Sequence, residues 1–112
     1  MNRMSDIFNC GADQKVVQML PGITRKALAY SETMIACELQ MEKGSVVPLH
    51  QHIHEQCSMV ISGKLRYTVG DETRIVCGGD TVMLPSNMPH SIIVEEESYV
   101  IDVFTPLREE YL

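Results

Sequence analysis

Short apolar–polar alternations, each closed by glycine or proline, leave this chain little choice but β-structure. Over residues 33–41 the side chains of Ile35, Cys37, Leu39 and Met41 fall on one side while Glu38 and Gln40 fall on the other, and Lys43-Gly44 ends the run. Period-two alternation of this kind marks a strand with one buried face. Further strands are predicted over 58–61, 64–69, 73–77, 81–84, 91–94 and 99–104, parted by Ser62-Gly63, Gly70-Asp71, Gly78-Gly79 and Pro85-Ser-Asn-Met-Pro89. At such points glycine supplies positive φ, proline fixes φ, and Asn and Asp bond their own backbone. About seven or eight short strands at this spacing predict a sandwich or barrel. Residues 13–20 carry the one trace of helical character, so the expected class is all-β.

The 112 residues allow one domain over 1–112 with a modest core, and nothing in them reads as a linker or repeat. A net charge of −6, with Arg25-Lys26 the only adjacent basic pair, speaks against nucleic acid as a partner, because such proteins neutralise phosphates with clustered Lys and Arg. A small anion is compatible with that charge, since a metal and one buried arginine make a local positive site. No apolar stretch approaches the ~20 residues of a membrane span. Residues 1–8 lack the apolar core of a signal peptide, so the expected location is the cytoplasm. Cys10, Cys37, Cys57 and Cys77 form no CxxC pair and are expected as reduced, mostly buried thiols.

The stretch His50-Gln-His52-Ile-His54-Glu-Gln56 carries the chemistry. In an extended strand, residues two apart share a face, so His50 and His52 can converge on one ion, and Gln56 keeps the same parity if the backbone stays extended. A bare HxH pair also occurs on solvated faces. A second block, Gly79-Asp-Thr-Val-Met-Leu-Pro85-Ser-Asn87-Met-Pro-His90, uses two prolines to pin a turn that delivers a third imidazole. His54 has the parity of a fourth ligand or a supporting residue, and a solvent-facing place suits it equally. Glu55 is expected outside the site. Near the end of the chain, Asp102 interrupts an apolar strand and shares a face with Val100 and Phe104; a buried carboxylate is costly unless paired. Arg108, after a turn at Pro106, is placed to pair with Asp102 or with a substrate carboxylate. A surface Asp and a surface Arg are the plain alternative.

The two blocks, spanning 44–94, resemble the two cupin motifs, G-x5-H-x-H-x3-E-x6-G and G-x5-P-x-G-x2-H-x3-N. The chain departs from them at Gln56 for Glu, Asn87 for Gly and Val94 for Asn. Asn tolerates the left-handed backbone that glycine supplies, and Val94 gives up a structural hydrogen bond. The resemblance implies a double-stranded β-helix, or jelly-roll barrel, holding one divalent transition metal (nickel, zinc, iron, cobalt or manganese) through His50, His52, Gln56 and His90. Three imidazoles and an amide leave the ion its full charge, which favours Lewis-acid over redox chemistry; a disabled oxygenase site is the opposite reading of Gln56.

Thr24-Arg25-Lys26, Val47-Pro-Leu-His50, His54-Glu-Gln56, Gly70-Asp-Glu-Thr-Arg74, Leu84-Pro-Ser-Asn87 and Asp102-Val-Phe-Thr-Pro-Leu-Arg-Glu109 are similar to the KdgF-like pectin-degradation cupins. Cys57-Ser58-Met59 departs from that pattern, and residues 1–21 match it poorly. This resemblance implies opening of 4,5-unsaturated uronates to linear keto forms, with Asp102, Phe104 and Arg108 around the substrate. A homodimer is the expected assembly. Two rival readings are a different cupin enzyme (an oxygenase or a sugar isomerase) and a non-catalytic ligand-binding cupin.

Overall fold

A computed structural model describes residues 4–112 as a nearly all-β chain of eight strands. They are β1 (Val17–Leu20), β2 (Ile23–Tyr30), β3 (Ile35–Met41), β4 (Val46–His50), β5 (Glu55–Val69), β6 (Glu72–Cys77), β7 (Thr81–Leu84) and β8 (His90–Thr105). The long strands β5 and β8 pair antiparallel along most of their lengths, and each takes part in two layers. In one layer the order is β1-β2-β3, then the second half of β8, the first half of β5, and β7. In the other it is β4, the first half of β8, the second half of β5, and β6. This is the jelly-roll barrel expected from the sequence.

The alternation over β3 holds as read: Ile35, Cys37, Leu39 and Met41 are all buried. Elsewhere the punctuation misled. Ser62-Gly63 does not separate two strands; it is a bulge within β5, where register with β8 slips between Val60 and Leu65. The buried face accordingly switches parity, from Gln56, Ser58 and Val60 to Leu65 and Tyr67. Bulges are how a strand turns the corner from one sheet to the other. Gly63 has φ of 102°, and a Cβ there would lie 2.5 Å from the Glu97 carbonyl, so the two chains cross in contact at this corner. The acidic run at 95–97 likewise fails to break β8, which continues through it; Arg66 answers Glu95 at 3.0 Å.

The helical reading of 13–20 is overturned. Gly11–Asp13 makes a single 3-10 turn and Val17–Leu20 is a strand that pairs with β2. Pro21-Gly22, with Gly22 at φ 77°, closes that hairpin, a turn signal that outweighs weak helical character once a neighbouring strand is available. Cys37 is buried, Cys57 half-buried, and Cys10 and Cys77 exposed, all four free, so mostly buried thiols describes Cys37 alone. No helix of the described residues is long and apolar enough to cross a membrane.

Candidate metal centre

Three imidazoles reach one point from three different backbone settings. His50 ends β4 and pairs across the ladder with His90, the first residue of β8. His52 lies not on a strand, as parity assumed, but on the crossing segment 51–54 that carries the chain from one sheet to the other. There its carbonyl accepts the Asn87 N–H at 2.7 Å, and Ser86 Oγ donates to the Ile53 carbonyl at 2.5 Å, which tie the crossing to the β7–β8 turn. Asn87 holds φ at 61°, the left-handed conformation anticipated for it. Because 51–54 leave the extended conformation, Gln56 does not arrive by parity with His50; it arrives as an inward residue of β5, opposite Leu84 and Phe104.

One ligand atom from each of His50, His52 and His90 lies within 4.8 Å of the others. Each ring donates its Nδ1–H to a main-chain carbonyl: His50 to Pro48 at 2.8 Å, His52 to His54 at 2.9 Å, and His90 to Met88 at 2.8 Å. A carbonyl only accepts, so these bonds fix the tautomer and leave Nε2 with its lone pair. Burial pushes His90 down to about 4 and lowers His52, with Arg108 adding to the effect at His52, so both rings stay neutral near pH 7.

The Gln56 amide is oriented by its second neighbour. It hydrogen-bonds to the Asp102 carboxylate, which can only accept, so the amide nitrogen faces Asp102. The amide oxygen then faces His52 Nε2 at 3.1 Å. Two lone pairs face each other across that gap. Donors bonded at about 2.1 Å and at right angles to one ion stand about 3 Å apart. The donor set therefore fits a divalent cation, and three histidines can form such a site.

The opposite wall is acidic and aromatic. Asp102 is buried, opposite Ser58 on β5 and Cys37 on β3. Ser58 Oγ donates to Asp102 Oδ1 and lies 3.3 Å from the Tyr67 hydroxyl. Burial pushes the Asp102 carboxyl up to about 6, against the opposing pull of Ser58, Gln56 and Arg108. Beside it, burial and the Asp102 charge push the Cys37 thiol up to about 12. Phe104 is fully buried and meets the His52 ring edge-on at 5.7 Å.

Arg108 does not pair with Asp102. Its Nε donates to Glu110 Oε1 at 2.7 Å, and its guanidinium lies over Tyr111 at 4.2 Å and over Phe104 at 5.0 Å. The guanidinium still lines the cavity, but its charge is answered by Glu110, two residues along, and not by Asp102. His54 is buried rather than solvent-facing and lies outside the imidazole cluster; its carbonyl anchors His52, while its own Nδ1 has no hydrogen-bond partner. Glu55 is exposed.

His50, Gln56, His90, Asp102, Phe104 and Arg108 line one small, partly open cavity together with Met19, Leu39, Val47, Tyr67, Ile92 and Tyr111. Sequence reasoning missed Tyr67 and Tyr111 there, and Ser58 buried against Asp102. Ser58 shares strand parity with Gln56, which was a usable signal; Tyr111 had none.

A family model described as a cupin domain matches residues 37–104. The pectin degradation protein KdgF of Dickeya dadantii (strain 3937) is 33% identical over 93 residues, covering 81% of this chain and 84% of that protein. The structure of KdgF from Halomonas sp. superimposes with a TM-score of 0.89 at 30% identity, over 94% of this chain and 99% of the other. An RmlC-like cupin from Shewanella frigidimarina NCIMB 400 superimposes with a TM-score of 0.93 at 25% identity, over 97% and 98% of the two chains.

Proposed function

This chain belongs to the cupin domain family, among its KdgF-like pectin-degradation members, and on that premise we propose that it opens 4,5-unsaturated uronate monosaccharides to linear keto-uronates with the help of one divalent metal. The observation that carries the reading is the Gln56 amide, set between His52 and a buried carboxylate, Asp102, whose pKa is raised to about 6. Such a group both takes and gives a proton near neutral pH.

His50, His52, Gln56 and His90 would hold the ion (nickel, zinc, iron, cobalt or manganese all accept these donors), which when bound supplies positive charge next to a developing enolate. The substrate is a cyclic hemiacetal whose ring oxygen is joined to a C4–C5 double bond beside a carboxylate. Asp102 removes the anomeric hydroxyl proton; the C1–ring oxygen bond breaks, leaving an aldehyde at C1 and an enolate at C5. Asp102 returns that proton to C4, and the enolate becomes an α-keto acid. Atoms are conserved, and neither oxidant nor water is consumed. Arg108 orients the substrate carboxylate by a two-pronged hydrogen bond, and Phe104 excludes water from the reacting end.

Freshly generated unsaturated galacturonate, followed by the absorbance of its conjugated double bond, tests the reading. Metal-dependent loss of absorbance at unchanged mass, abolished by chelator, is expected. No acceleration in a metal-replete sample overturns it, and consumption of oxygen would turn the assignment to an oxygenase. The acting unit in this proposal is a homodimer, because edge strands such as β1 leave backbone groups for a second copy to cover; a monomer mass by light scattering overturns that part.

A further inference from the structure

A second guanidinium stands beside the cavity and the reaction above makes no use of it. Arg25 of β2 pairs directly with Leu39 of β3, which lines the cavity. Paired residues in a sheet share a face, so Arg25 is on the cavity side of β2. The 3-10 turn Glu109–Tyr111 brings a buried tyrosine to the same place, where the Tyr111 ring stands at 90° to Phe104 with centroids 5.5 Å apart. The Arg25 guanidinium lies 4.3 Å from the Tyr111 centroid, and that of Arg108 lies 4.2 Å from the same centroid.

Two like charges are thus held less than about 9 Å apart on a single ring. Attraction to the ring offsets part of their repulsion, and Glu110 answers Arg108. Among the described residues no carboxylate is paired with Arg25. A guanidinium that rests its face on a ring keeps its in-plane N–H groups free to donate. Arg108, Tyr111 and the metal ligands His50 and His90 line one cavity, and Arg25 stands against the Tyr111 ring beside it, on a chain whose net charge is −6. The positive charge is concentrated where an anion would enter.

We infer that Arg25 is a second ligand-binding arginine of this cavity, donating to the hydroxyl-bearing end of an acidic sugar whose carboxylate lies at Arg108, with Tyr111 spacing the two. Naming the ligand as an acidic sugar rests on the proposed function. Arg25 then distinguishes a sugar acid, which spans both guanidiniums, from a small carboxylate that reaches Arg108 alone.

The test uses the full chain loaded with nickel, as wild type, Arg25→Met and Arg25→Lys. A hydrogen bond from a charged donor carries about tenfold to a hundredfold in affinity. Arg25→Met is therefore expected to raise KM for unsaturated galacturonate by at least about tenfold with kcat within about threefold of wild type, and Arg25→Lys to recover part of the loss. Unchanged KM in Arg25→Met beside an active wild type overturns the inference and leaves the proposed reaction standing. An inactive wild type overturns the reaction instead, and calorimetric titration with galacturonate then decides Arg25. Binding at least about tenfold weaker in Arg25→Met upholds the inference; equal affinity, or none in wild type, overturns it.

Discussion

The two walls of the cavity are held in opposite ways. Every ring of the imidazole wall is fixed by main chain, each Nδ1–H meeting a carbonyl two residues along. The acid wall is fixed by side chains: Ser58 and Gln56 grip Asp102, while Phe104, Tyr111 and Glu110 hold Arg108. Main-chain anchors survive changes in neighbouring side chains. Side-chain anchors make one residue depend on others, and for Asp102 those others lie more than forty positions away. The walls also respond oppositely to pH, since burial holds His90 down at about 4 and Asp102 up at about 6.

The comparison is most severely tested by removing one member of each wall. His90→Ala takes away a ligand whose place no other described side chain fills; it is expected to lose stoichiometric metal and, with it, all detectable turnover. Elemental analysis finding one metal per chain in that variant would break the distinction between the walls. Asp102→Asn should keep the metal and lose turnover by about 10²–10⁴-fold; a loss of metal would mean that Gln56 depends on Asp102 for its ligand role.

The pH contrast is next in size. In chelated protein, Asp102 keeps its proton up to about pH 6 when folded but loses it near 3.8 when unfolded. The folded state therefore binds more protons in that window, and stability falls as pH rises through it, by about 3 kcal/mol. His90 works the other way: its folded pKa of about 4 lies below the unfolded 6.5, so its contribution is lost as pH falls through that window. The contributions of Asp102 and His90 are expected nearly to cancel. The difference between Asp102→Asn and wild type isolates the acid wall and should grow in favour of the variant from pH 4 to pH 7 by urea unfolding. A constant difference would show that Asp102 is not held protonated by burial.

Ser58→Ala gives the smallest effect. It removes one donor to the Asp102 carboxylate and should move the acid limb of the kcat profile upward in pH, with turnover reduced roughly tenfold and metal content unchanged. An unmoved limb would leave Ser58 a packing residue only.

The same contrast explains what could be read from the sequence. The imidazole wall was legible because its signals are local: His50, His52 and His90 sit at short spacings from their own anchors, and Pro85, Asn87 and Pro89 announce the turn. The strand that was to carry His52 was not legible, because the crossing at 51–54 is set by Asn87 and Ser86, more than thirty residues away. Asp102 could be flagged as an interruption in an apolar strand. Its partner could not: the guanidinium at 108 was closer to Glu110 than any sequence rule reveals. Gln56 gains meaning only with Asp102 in view. A glutamate at 56 would set two carboxylates against each other, whereas the amide offers its nitrogen to one neighbour and its oxygen to the other.

Strands β5 and β8 pass through both layers by way of the corner at Gly63. The barrel is therefore woven, not stacked, and neither layer can be peeled away while the other stays whole. Ladder partners such as Glu55 and Thr105 are separated by nearly half the chain. Loop closure over that length comes before any reward from pairing, so assembly is slow and all-or-none. The same two threads carry His90 of one wall and Ser58, Asp102 and Phe104 of the other. Partial opening of this protein would not yield a looser site; it would yield no site.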